Sequence, residues 1–166
     1  MQKKTPSNLL PNLRLFEGKF PYLPRLRPSL FSGILPSGVL HYLHPLEVLP
    51  AFKRVFDLLK PGGKFFFHTS TPYIKVFEKF YPIYEENLRR GDLFPGHILN
   101  PGKYVPSRKN YLPKSLILMD QKTVEHLMKK AGFHIESLSF VEMSNCPEDF
   151  QGSGKEYIGV IGVKKS

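Results

Sequence analysis

Cysteine is almost absent: the 166 residues include one, Cys146. A single thiol excludes an internal disulfide framework and a zinc site built on several cysteines. The compartment it leads us to expect is the reducing cytoplasm. Cys146 stands beside Pro147 in a polar stretch, with nothing to activate it. Long apolar runs are also lacking. None approaches the ~18 residues that span a bilayer, and the leading MQKKTPSNLLPNLR lacks the apolar stretch and cleavage site of a signal peptide, so no membrane partner is expected. No GxSxG, HExxH or GxxxxGKS/T occurs. Glu85 and Glu86 are adjacent, so on a helix they face different sides and are not a catalytic pair. His41 and His44 are three apart, but no nearby carboxylate or cysteine completes a ligand set, and no metal is expected.

Acidic residues are few, 14 against 24 Lys and Arg, which gives a formal charge of +10. Such an excess favours nucleic acid or an anionic membrane. The cations are scattered, however, and no run exceeds two. The expectation is a solvated surface, with any nucleic-acid binding weak and non-specific.

What is present is a core-forming pattern. Hydrophobic residues make up 41% of the chain, enough for one domain. Its organising stretch is Ser32 to Thr71. Ser32–Leu35 reads as a short strand. Val48, Phe52, Val55 and Leu59 then form one helical stripe, widened by Leu49 and Phe56. Pro61-Gly62-Gly63 is expected to stop that helix. Pro50 implies a kink, or a helix that begins near Leu49. Phe65–Phe67 reads as a strand buried on both faces and parallel to the first. The whole is a βαβ unit of about 40 residues.

Around it, residues 1–12 form a polar arm and 13–166 the folded domain. Leu13–Phe16 alternates like a short strand. Phe20–Phe31 holds three prolines and is expected to be a loop. Thr71-Pro72 should start a helix with Ile74, Phe77, Tyr81, Tyr84 and Leu88 on one face, bent at Pro82. Gly91–Pro113 reads as a long loop, either a lid or binding element or an ordered surface excursion; Phe94, His97 and Tyr104 are its notable residues, with Phe94 and His97 the candidates for substrate contact. Asp120 caps a helix with a Val124/Leu127/Met128/Ala131 stripe, ended by Gly132. Phe133–Val141 and Tyr157–Val163 read as antiparallel neighbouring strands.

SGILPSGVLHYLHP, followed about a dozen residues later by LLKPGGKFFFHTSTP, resembles the second half of class I, Rossmann-like S-adenosylmethionine-dependent methyltransferases. The resemblance runs from about Leu13 to the C-terminus. It implies an α/β, Rossmann-like methyltransferase fold that is partial, lacking its front βαβ half, with a mixed sheet and an antiparallel C-terminal strand. It places Gly18, Lys19 and Phe20 beside the cofactor's adenine, and Pro36, Ser37 and His41 beside its methionine and ribose, with His41 as hydrogen-bonding group or base. It puts the segment containing Tyr73 at the acceptor pocket. Lys19 departs from the family's acidic residue there, and an ammonium cannot accept the adenine amino group's hydrogen bond. The glycine turn and acidic ribose ligand of such folds are absent from the sequence. Two readings therefore stand, with a basic nucleic-acid binder as a third and weaker one. One is the C-terminal part of a methyltransferase acting on a small-molecule acceptor. The other is a non-catalytic interaction or regulatory protein, or the remnant of a truncated gene, that self-associates or pairs with the missing N-terminal half.

Overall fold

The computed structural model describes residues 15–23, 26–142, 150 and 153–166. The arm expected over 1–12 and Cys146 lie outside them. A four-stranded sheet has the order β1 (Phe31–Ile34), β2 (Leu59–Ser70), β6 (Tyr157–Val163), β5 (His134–Val141). β1 and β2 are parallel, while β6 is antiparallel to both β2 and β5. The mixed α/β architecture and the antiparallel ending are as the sequence indicates.

α1 (Pro45–Leu58) and α3 (Gln121–Ala131) touch each other and cover one face of the sheet. Alternation along β2 sends Phe65, Phe67 and Thr69 to that face, all buried. Phe52 of α1 meets the rings of Phe65 and Phe67 edge-on, at 5.4 and 5.3 Å between centroids, the favoured geometry for aromatic pairs. Val124, Leu127 and Met128 of α3 join the same core. On the opposite face Phe66 is 38% exposed, and His68, Ser137 and Ser139 are exposed as well. Phe65–Phe67 is thus buried on one face, not two. Among the described residues no helix lies on the second face.

α1 begins earlier than Leu49. His44 caps it: its Nδ1 accepts from the Leu46 N–H at 3.3 Å, while Glu47 reaches back to the His44 N–H at 3.2 Å, a reciprocal capping box. Pro45 then occupies the first turn, where a missing N–H costs nothing. The helix also ends before Pro61. Leu59 is already extended, and Lys164 Nζ donates to the carbonyls of Phe56 (3.0 Å) and Leu59 (2.9 Å), satisfying the helix end. Pro61-Gly62-Gly63 lies inside β2 instead, with Gly62 at φ +75 and its N–H bonded to the Lys164 carbonyl.

Three further expectations are corrected. Of the strand expected over Leu13–Phe16, Leu13 and Arg14 lie outside the described residues, while Leu15 and Phe16 lie in no strand and are exposed. The helix expected from Thr71 is a turn, a 3-10 stretch (Lys75–Phe80) and then α2 (Tyr81–Arg90). Thr71 Oγ1 accepts from the Tyr73 N–H at 3.1 Å and donates to the Lys155 carbonyl at 2.5 Å, so it closes a turn rather than opening a helix, and Pro82 sits in the first turn of α2 rather than bending a longer helix. The loop expected over 91–113 contains β3 (His97–Leu99), which pairs with β4 (Ser115–Ile117), and two 3-10 turns that start at Pro101 and Pro106.

This 71–118 excursion has its own core of Ile74, Phe77, Phe80, Tyr84, Ile98, Val105, Leu116 and Leu118. It is pinned to the end of β2 by the Met119 N–H bonding to the Ser70 carbonyl at 3.0 Å. A second tie joins α2 to α3: buried Tyr84 donates to Asp120 Oδ2 at 2.7 Å, while Asp120 Oδ1 accepts from the Thr123 N–H and caps α3. Burial pushes the Tyr84 hydroxyl well above its ordinary range, and the Asp120 carboxylate pushes it further. Tyr84→Phe should lower unfolding free energy by about 1–3 kcal/mol, because it leaves a buried carboxylate oxygen unpaired. Urea denaturation measures this; an unchanged midpoint would show that the tie is dispensable.

Candidate functional site

β1 ends opposite Phe65 while β2 runs on to Ser70, and the segments that leave the two strands converge beyond them. After β1 the chain passes buried Pro36 and exposed Ser37 to a 3-10 turn, Leu40–Tyr42. After β2 it passes Ser70 and Thr71 to Ile74 and Phe77. Between these segments and the excursion lies a cavity of about 140 Å³. His41, Tyr42 and Ser70 line one side; Val105, Arg108 and Leu116 line another. Its walls are mainly apolar, with an imidazole, a hydroxyl and a guanidinium among them, the usual composition of a small-molecule site.

His41 is the chemically distinctive member. Its Nδ1 is buried with no hydrogen-bond partner among the described residues. Burial, and then the nearby His68 imidazole, lower its pKa from 6.5 to about 4. At neutral pH it is an uncharged ring suited to donating or accepting one hydrogen bond. As a base it is weak, so the general-base role expected near neutral pH gives way to hydrogen bonding. Its ring lies 4.0 Å from that of Tyr42.

The other candidates are dispersed. Lys19 Nζ pairs with Glu47 Oε1 at 3.3 Å, Gly18 stands against Leu23, and half-buried Phe20 packs on the main core. Phe94 also packs on that core. His97 Nε2 meets Ser115 Oγ at 2.9 Å between β3 and β4, and burial, followed by the nearby His44 imidazole, lowers its pKa. Tyr104 packs edge-on against Phe80. Tyr73 lines a separate cleft with Tyr84, Asp120 and Phe140. Of the sequence candidates, only His41 lines the cavity. Arg108, Val105 and Leu116 were missed because they lie more than sixty residues away along the chain. The one signal was the length of the 91–113 segment. Among the described residues no group of His, Cys, Asp and Glu could hold a metal ion.

No protein-family model matches the chain, and no curated protein is similar to it in sequence. Solved structures are similar in shape. A Methanosarcina mazei S-adenosylmethionine-dependent methyltransferase aligns over 85% of this chain and 62% of its own, with TM-score 0.59 and 17% identity. The chain has the Rossmann-like methyltransferase fold. An O-methyltransferase family protein from Burkholderia thailandensis aligns over 96% of this chain and 38% of its own, with TM-score 0.56 and 15% identity. The 1,6-didemethyltoxoflavin-N1-methyltransferase of the same organism, with bound 1,6-didemethyltoxoflavin and S-adenosylhomocysteine, aligns over 84% and 46%, with TM-score 0.53 and 15% identity. The chain therefore spans between 38% and 62% of the lengths of these structures.

S-adenosylmethionine fits the described residues only in part. Phe20, Ser37 and His41 can offer stacking and hydrogen bonds. The Lys19 ammonium has the wrong polarity for an adenine amino group, and Glu47, its partner, is already used in the α1 cap. No glycine turn feeding a helix is present among the described residues to bring backbone against the ligand.

The depressed His41 pKa has a consequence for stability. Folding favours the neutral ring, so its contribution is complete above the unfolded value of 6.5 and is lost as pH falls toward about 4. The gap corresponds to at most roughly 3 kcal/mol. His41→Asn should flatten the loss of stability between about pH 6.5 and 4. Chemical denaturation across that window, with the His41 ring followed by NMR, checks this. A ring that titrates near 6.5 would contradict it.

Proposed function

We propose that this chain is the C-terminal, acceptor-side part of an S-adenosylmethionine-dependent methyltransferase, with a small-molecule acceptor held in the cavity beside His41. The observation that carries the reading is the position of that cavity. It opens at the carboxyl end of β2, at Ser70, beside the His41 segment that follows β1, and open α/β sheets bind ligands outside the carboxyl ends of their strands; the chain has the methyltransferase fold. Methyl transfer asks little of side chains beyond alignment of acceptor and methyl group. Neutral His41 would orient an acceptor hydroxyl or amine, and the apolar walls would exclude water. Pro36, Ser37 and His41, with Gly18, Lys19 and Phe20, would be the retained cofactor wall. Tyr73, Phe94 and His97 remain candidates for acceptor contact only if the excursion moves.

With two or three polar contacts lacking, each worth roughly 1.5–3 kcal/mol, cofactor affinity should fall by several orders of magnitude. Titration calorimetry of the chain with S-adenosylmethionine and S-adenosylhomocysteine should show no tight binding. Small aromatic fragments, followed by NMR, should perturb the His41 ring. A low-micromolar cofactor dissociation constant would overturn the claim that the cofactor site is partial, and fragments that all avoid His41 would overturn the acceptor site.

The bare sheet face favours the second reading, an interaction protein. Leu35 (62% exposed), Phe66, Gly159 and Ile161 line a shallow depression on it, next to the open edge of β1. An unpaired, partly apolar edge is a template for association. Size-exclusion chromatography with light scattering should show concentration-dependent association of the chain with itself. A monomer at all concentrations, with cooperative unfolding, would contradict this.

A further inference from the structure

Between Asp92 and Asp120 the chain carries Lys103, Arg108, Lys109 and Lys114 and no carboxylate. Folding gathers three of these cations. Lys103, Lys109 and Lys114 line one groove of about 560 Å³, with Asn100, Gly102 and Pro106 between them and no acidic residue in its wall. The gathering is built into the backbone. The Asn100 N–H bonds to the Lys114 carbonyl at 2.8 Å, and the Lys103 N–H to the Asn100 carbonyl at 2.9 Å. Gly102 lets the first 3-10 turn close on the second, since a Cβ there would stand 2.8 Å from Lys109 Cγ. Buried Pro101 and Val105 anchor both turns. None of the three ammoniums pairs with a carboxylate among the described residues. In the same loop Tyr111 is 90% exposed.

We propose that this groove binds single-stranded nucleic acid without sequence preference, the three lysines holding successive phosphates and Tyr111 stacking on an unpaired base. Like charges held in one groove repel each other unless an anion compensates them. A phosphodiester backbone supplies anions at regular spacing, and a sequence-tolerant single-strand site combines such a cationic groove with exposed aromatic faces. A duplex would leave Tyr111 no base to stack on. The lysines line the walls of a groove rather than a plane, which suits a strand laid into it more than a lipid surface.

Fluorescence anisotropy of a labelled oligothymidylate of about 20 nucleotides, titrated with the full chain at several salt concentrations, tests this. The dissociation constant should fall in the ~10⁻⁴ to 10⁻⁶ M range near ~150 mM salt, with a log–log salt slope of about −2 for three phosphates. Lys103→Gln with Lys109→Gln and Lys114→Gln should weaken binding at least about tenfold and abolish most of the slope. Tyr111→Ala should weaken it about tenfold and leave the slope unchanged. Lys53→Gln with Lys130→Gln and Lys165→Gln removes the same charge elsewhere and should change affinity by less than about threefold. All substituted side chains are solvent-facing, and thermal melts confirm folding. Equal losses in the two triple variants would overturn the proposal. So would no binding at ~50 mM salt, binding to phosphatidylserine vesicles alone, or sequence-selective submicromolar binding.

Discussion

Alternation along β2 divides the molecule. Phe65, Phe67 and Thr69 point to α1 and α3, while Lys64, Phe66 and His68 point the other way. Phe52 fits between Phe65 and Phe67, and Phe133 closes the far side against Phe56 and Phe65. This aromatic layer sets where α1 lies. α1 in turn fixes the His44 cap and, just before it, the turn that carries His41. The sheet's opposite face has an exposed Lys64–Glu136 pair at 2.8 Å and the half-open Phe66 ring. An exposed pair of this kind contributes little stability. Nearly all the apolar burial of the sheet therefore comes from one side.

The excursion after β2 is a second, smaller body of structure. Its core of Phe77, Phe80, Ile98 and Leu116 is separate from the main one. The Met119 N–H to Ser70 bond ties it to β2, the Thr71 N–H bonds to the Glu156 carbonyl just before β6, and the Tyr84–Asp120 bond ties it to α3. It closes the cavity over His41 on its inner side and presents the lysine groove on another. A guanidinium on this body, Arg108, lines the cavity and also lies 4.5 Å from the Phe150 ring.

Elements with strong local signals were legible in the sequence. The Val48/Phe52/Val55 stripe, Asp120 and Gly132 bracketing α3, and the apolar run Tyr157–Val163 all match the structure. So does the parallel β1–β2 pairing. β3 and β4 were not legible, because three residues carry too little periodicity. The start of α1 was missed because histidine is an uncommon cap. The strand at Leu13–Phe16 rested on alternation alone, which cannot show whether a partner strand exists. The cavity was legible only at His41, since its other walls come from distant segments. Lys103, Lys109 and Lys114 look scattered along the chain for the same reason.

β2 is buried on one face only. Thermal and urea unfolding of Phe65→Ser and Phe66→Ser compares neighbours on opposite faces. Phe65→Ser should cost about 3–5 kcal/mol, as expected when a buried aromatic is truncated. Phe66→Ser should cost less than about 1 kcal/mol. If Phe66→Ser were as destabilising as Phe65→Ser, something would cover that face in the free chain, and the one-sided account would be wrong.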